Sequence, residues 1–113
     1  PAEHLRDFVR LYLEHSADCA SRIAALAIDC DYGAMGRVAH ELVGSAGNAG
    51  ALETHRLAQA LTVACKAGDE AACRRLASLL PQAIEGAAGW LRAWLAEACP
   101  TAATQPKLAA AMG

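Results

Sequence analysis

Hydrophobic positions recur at helical spacing along nearly the whole chain. Leu5, Phe8, Val9 and Tyr12 mark one apolar face and predict a first helix from about Ala2 to Glu14. Ser16 is placed to cap a second, which reaches about Asp29 and carries Cys19, Ile23, Leu26 and Ala27. Asp31 predicts the N-cap of a third helix, from Tyr32 to about Ala49, with Gly50 as its stop. A fourth spans about Ala51 to Ala67 on the stripe Leu57, Ala58, Leu61, Ala64 and Cys65. Gly68-Asp69 reads as a stop followed by a new cap, so a fifth helix starts at Glu70. Pro81 is expected to kink or split it, because proline removes a hydrogen bond and clashes with the preceding turn. Helix then resumes through Ile84, Leu91, Trp94 and Leu95.

No stretch alternates with period two, and β-branched residues are few, so the fold class is all-α. Short connections force consecutive helices to lie antiparallel. The second to fifth helices are expected to close an antiparallel four-helix bundle, with the additional N-terminal helix covering one end or flank. Residues 1–99 make the domain, and residues 100–113, rich in Pro, Thr and Ala, make a flexible tail.

The third helix places one histidine against its own pattern. With Leu42 at the centre of the apolar face, Met35, Val38, Ala39, Ala46 and Ala49 fall within roughly 60° of it at about 100° per residue. His40 lies about 160° away, with Gly44 and Gly47 beside it on the outward face. Each interior helix glycine costs about 0.5–1 kcal/mol relative to alanine. Two of them beside an exposed imidazole point to close approach by another molecule. Tight packing inside the bundle is the alternative reading, evenly matched for Gly47. Ser45, about 60° from the stripe centre, can bond back to its own helix or reach toward the site.

Composition narrows the choices. A chain of 113 residues is one domain, and 55% hydrophobic with 4% aromatic residues means a core of Ala, Leu, Val, Ile and Cys. The net charge is −2 and the ten basic residues are scattered, so nucleic acid is not an expected partner. No apolar run reaches the roughly 18–20 residues that cross a bilayer, and no signal-peptide pattern is present. Pro1 in place of methionine suggests a piece of a longer protein, although methionine removal would look the same. The five cysteines, odd in number and without a C-x-x-C pair, read as reduced thiols. His4, His15 and His55 share no metal-like spacing with His40 and read as surface histidines, so neither metal nor cofactor is expected. Trp90 and Trp94, one turn apart, are expected to close the bundle.

The segment His40-Glu41-Leu42-Val43-Gly44-Ser45-Ala46, then Gly50-Ala51, then Leu57 and Leu61, resembles the histidine phosphotransfer (HPt) family. That family carries a pattern close to A-H-x-L-K-G-S-A, then G-A, then a leucine-rich helix. The resemblance covers roughly Leu5 to Leu95. It implies a phosphorelay intermediate: His40 would accept a phosphoryl group from an aspartyl phosphate on a receiver domain and pass it to a response-regulator aspartate. The receiver would supply Mg²⁺. No kinase catalytic domain and no ATP loop are present, so the chain is not expected to phosphorylate itself. The implied setting is the C-terminal module of a hybrid sensor kinase, cytoplasmic and monomeric, in a parent anchored in the inner membrane.

Val43 stands where the family usually has lysine, which removes one source of positive charge near the phosphate. Thr62 stands where the family often has an acidic or amide residue, with Gln59 one turn earlier and Lys66 one turn later as polar candidates. Val43 keeps a second function open: a module that docks on receivers without taking phosphate. A metal-binding helical bundle is a third. The dimerisation helix of a histidine kinase is a fourth, but that box continues with a basic residue and a nearby proline, where Val43-Gly44-Ser45 stands. Val43 and Leu52 are expected to contribute to an apolar docking patch.

Overall fold

The computed structural model describes residues 2–98, all but the short connections helical. Among the described residues there are four helices: α1 (Ala2–Ile28), α2 (Tyr32–Ala49), α3 (Leu52–Ala67) and α4 (Glu70–Ala98). Each packs on the next, and α1 closes the ring against α4. Tight connections make successive helices antiparallel. The tail expected over residues 100–113, and Cys99, lie outside the described residues.

All three connections close in the same way. A residue one or two positions past each helix adopts a left-handed conformation, and the next N–H reaches back to a carbonyl of the last turn. Asp31 N–H bonds Leu26 O at 3.0 Å, Ala51 N–H bonds Ala46 O at 2.9 Å and Asp69 N–H bonds Ala64 O at 3.1 Å. Gly50 (φ 75°) and Gly68 (φ 70°) take that conformation as their sequence positions predict, whereas the first connection uses Cys30 (φ 54°). Asp31 and Asp69 cap the following helices, accepting from Ala34 N–H and Ala72 N–H, each at 3.1 Å.

The expected boundary at Ser16 does not form, so four helices stand among the described residues where five were expected. The predicted first and second helices are one element, α1, and no separate N-terminal helix flanks the bundle among the described residues. Ser16 does not cap a helix. It is buried inside α1, and its hydroxyl donates to Leu13 O at 3.2 Å, a local bond that satisfies serine in mid-helix. The Tyr12 hydroxyl lies between Ser16 and Thr54 in the core, where burial raises its pKa. Nor does Pro81 split α4. Its ring is exposed while Leu80 and Ile84 are buried. The missing N–H therefore falls on the solvent side, where water can serve the carbonyl that loses its partner.

The core follows the predicted stripes: Met35, Val38, Ala39, Leu42 and Ala46 from α2, and Leu57, Ala58, Leu61 and Ala64 from α3. α1 and α4 have 27 and 29 residues, whereas α2 and α3 have 18 and 16, so the long pair runs past the short pair at one end. Leu5 and Phe8, expected in the core, are exposed on α1, and Trp90, expected to close the bundle, is exposed on α4 beside the start of α3.

Candidate functional site

An open cleft of about 320 Å³ runs between α2 and α3. From α2 it is lined by Tyr32, Gly33, Gly36, Arg37 and His40; from α3, by Thr62, Cys65 and Lys66. His40 is exposed at its edge, as its place opposite the Leu42 stripe predicts. Its ring makes no hydrogen bond or ion pair with another described residue. The neighbouring Glu41 faces α1, where Arg22 Nη2 meets its carboxylate at 3.5 Å.

Gly36 sets the closeness of the two walls. A Cβ built on it would stand 2.9 Å from the Cβ of Cys65, a contact between backbone-anchored atoms that only glycine permits. Sequence reasoning missed Gly36. Its position about 120° from Leu42 places it on the histidine's side of the helix, but the contact depends on a residue from another helix.

Cys65 completes the cleft wall. Its Sγ lies 3.5 Å from that of buried Cys73 on α4, and burial pushes the Cys65 thiol up to about 12. It therefore stays protonated at neutral pH and offers no thiolate, so the imidazole is the stronger nucleophile in the cleft. Thr62 is buried and its hydroxyl donates to Ala58 O at 2.8 Å, leaving only its lone pairs for the cleft. No acidic residue lines the cleft.

The other residues singled out from sequence separate. Gly44 faces open space, with nothing within 4 Å of a built Cβ. Gly47 is covered: a Cβ there would meet His55 Nδ1 at 3.1 Å. His55, expected at the surface, is half-buried and bonds Val43 O through Nδ1 at 2.8 Å. A carbonyl can only accept, so Nδ1 carries the proton. Val43 is half-buried one turn beyond His40. Ser45 bonds back to its own helix, at 3.3 Å to Leu42 O and 3.4 Å to Glu41 O. Gln59 is exposed on α3, one turn before Thr62 and outside the cleft lining. Leu52, exposed, lies beside Ala83, Gly86 and Trp90 in a separate groove.

Among the described residues, no three His, Cys, Asp or Glu side chains converge as metal ligands. Among the same residues, no helix is long and apolar enough to cross a membrane.

The described residues thus form a small helical bundle with a solvent-facing histidine at the edge of a glycine-floored cleft. Residues 7–90 match the Hpt domain family, and the chain belongs to that family. No curated protein and no solved structure gives a significant match. Membership places the chain in the histidine phosphotransfer step of two-component phosphorelays, where Hpt domains interact with receiver domains.

Proposed function

We propose that His40 is the phosphoacceptor, taking a phosphoryl group from the aspartyl phosphate of one receiver and passing it to the aspartate of another. The observation that carries this reading is the imidazole at the cleft edge, exposed and bound to no other described side chain. A neutral imidazole near pH 7 attacks with its unprotonated nitrogen. The new P–N bond forms as the aspartyl P–O bond breaks, and the carboxylate leaves with the electron pair. The ring then carries a positive charge, which it sheds by releasing the proton on its other nitrogen to water. Such a transfer needs in-line approach and charge stabilisation more than covalent help. Gly44 supports that approach, because it leaves the helix surface beside the ring bare.

The chain works in the cytoplasm as a monomer, as the C-terminal module of a hybrid sensor kinase, and docks receivers through the α2 face that includes Val43. A second reading, a docking module without phosphate chemistry, is favoured by one observation, the valine at position 43. Incubation with a panel of phosphorylated receiver domains separates the two. The relay reading expects one acid-labile, base-stable phosphoryl group on the wild type and none on His40→Gln. Receiver binding without any adduct selects the docking module.

A further inference from the structure

We infer that Arg37 and Lys66 form the phosphoryl-binding pair of this site, on the N-terminal side of His40, in place of a cation one turn after it. The inference rests on the relay reading above and assigns the charge that position 43 does not supply.

Four observations converge. First, both cations line the cleft that His40 edges, one from each wall. Arg37 precedes His40 by one turn, so their Cβ atoms are about 5–6 Å apart. Second, both are uncommitted. Arg10, Arg22, Arg56 and Arg92 stand in ion pairs and Arg74 donates to the Tyr32 hydroxyl, whereas the side chains of Arg37 and Lys66, like those of Arg6 and Arg75 outside the cleft, pair with no described residue. Arg37 also borders a groove toward α1 that contains Glu41, but Arg22 already engages that carboxylate. Third, no carboxylate lines the cleft, since the Asp31 carboxylate beside Gly33 is engaged by Ala34 N–H as a helix cap, and Gly33 and Gly36 contribute no side chain to the floor. The cleft thus offers a doubly charged oxyanion positive charge and room. Fourth, the opposite side of His40 supplies no cation from its own helix: Val43, Gly44 and Gly47 are neutral, and the His55 ring is held by Val43 O.

In physical terms, the guanidinium and the ammonium meet the phosphoryl oxygens as charge-assisted donors. They stabilise both the charge that develops during transfer and the phosphohistidine that results.

Phosphoramidate phosphorylates histidine without a receiver, so it tests the pair apart from docking. The P–N bond of the reagent breaks, ammonia leaves with the electron pair, and the His40 nitrogen takes the phosphoryl group. Arg37→Ala and Lys66→Ala should each slow adduct formation about tenfold, and the double variant about a hundredfold. Arg37→Lys and Lys66→Arg should stay within about threefold of wild type, a rescue that a purely structural role does not predict. Adding Val43→Lys to the double alanine variant should restore part of the rate. In the unmutated chain, the Arg37 Nε–H and Lys66 Nζ resonances should shift on phosphorylation, a readout independent of any variant. Wild-type rates in the double variant, with neither resonance moving, would overturn the inference while leaving His40 as acceptor. A wild-type chain that takes phosphate from neither phosphoramidate nor any receiver would overturn the relay reading itself.

Discussion

Toward the N-terminus of α2 from His40, Gly33 and Gly36 floor an open cleft with a cation on each wall. Toward its C-terminus, Gly44 is bare and Gly47 lies under the ring of His55. The glycines share one outward side of one helix, yet they do three different things. Gly36, beside Gly33 on the cleft floor, brings the backbones of α2 and α3 together, Gly47 admits a bridging side chain, and Gly44 leaves space for a partner. A glycine in a helix thus signals close approach, but only the neighbouring helix decides whether the approach is internal or from outside.

The largest effect that would break this comparison is chemical. His40→Gln should lose the phosphoryl adduct completely, measured by intact mass, while circular dichroism and thermal unfolding stay at wild type because the ring is exposed.

Next comes the floor of the cleft. Gly36→Ala would place two anchored Cβ atoms 2.9 Å apart and push the helices apart. The strain of about 1–3 kcal/mol outweighs the helix propensity gained. Differential scanning calorimetry should show a fall of several degrees, and no change would show that α2 and α3 are less tightly apposed.

His55→Ala should cost about 0.5–1.5 kcal/mol through the lost bond to Val43 O, read from the urea midpoint. Its value lies in the pairing: Gly47→Ala should be better tolerated in the His55→Ala background, because the ring it would crowd is gone.

The smallest effect has the opposite sign. Gly44→Ala meets nothing within 4 Å and should stabilise the domain by about 0.5–1 kcal/mol, while slowing transfer from receivers by roughening the docking face. Destabilisation at position 44 would mean that the two ends of the glycine face are not distinct.

Much of this geometry is legible in the chain itself. Asp31 and Gly50 bracket α2, Gly68-Asp69 divides α3 from α4, and the Leu42 stripe puts His40 outside. These signals are local: a cap, a left-handed stop and a 3.6-residue period act within one turn or one helix. The misses share a physical cause, which is that another helix decides the outcome. Ser16 carries a cap's chemistry but continues α1, and Pro81 is carried through α4 by buried neighbours. Leu5 looks like a core residue but sits where α1 runs past the shorter helices, and Trp90 faces an open groove beside Leu52. Gly36 and His55 acquire their roles only across the α2–α3 seam.

The most direct test is heteronuclear NMR of the phosphorylated chain with phosphorus detection. The account predicts one phosphohistidine, at His40, with shift changes concentrated at Gly36, Arg37, Thr62, Cys65 and Lys66. Phosphate on His4, His15 or His55, or shift changes confined to the Val43–Gly47 side, would contradict it.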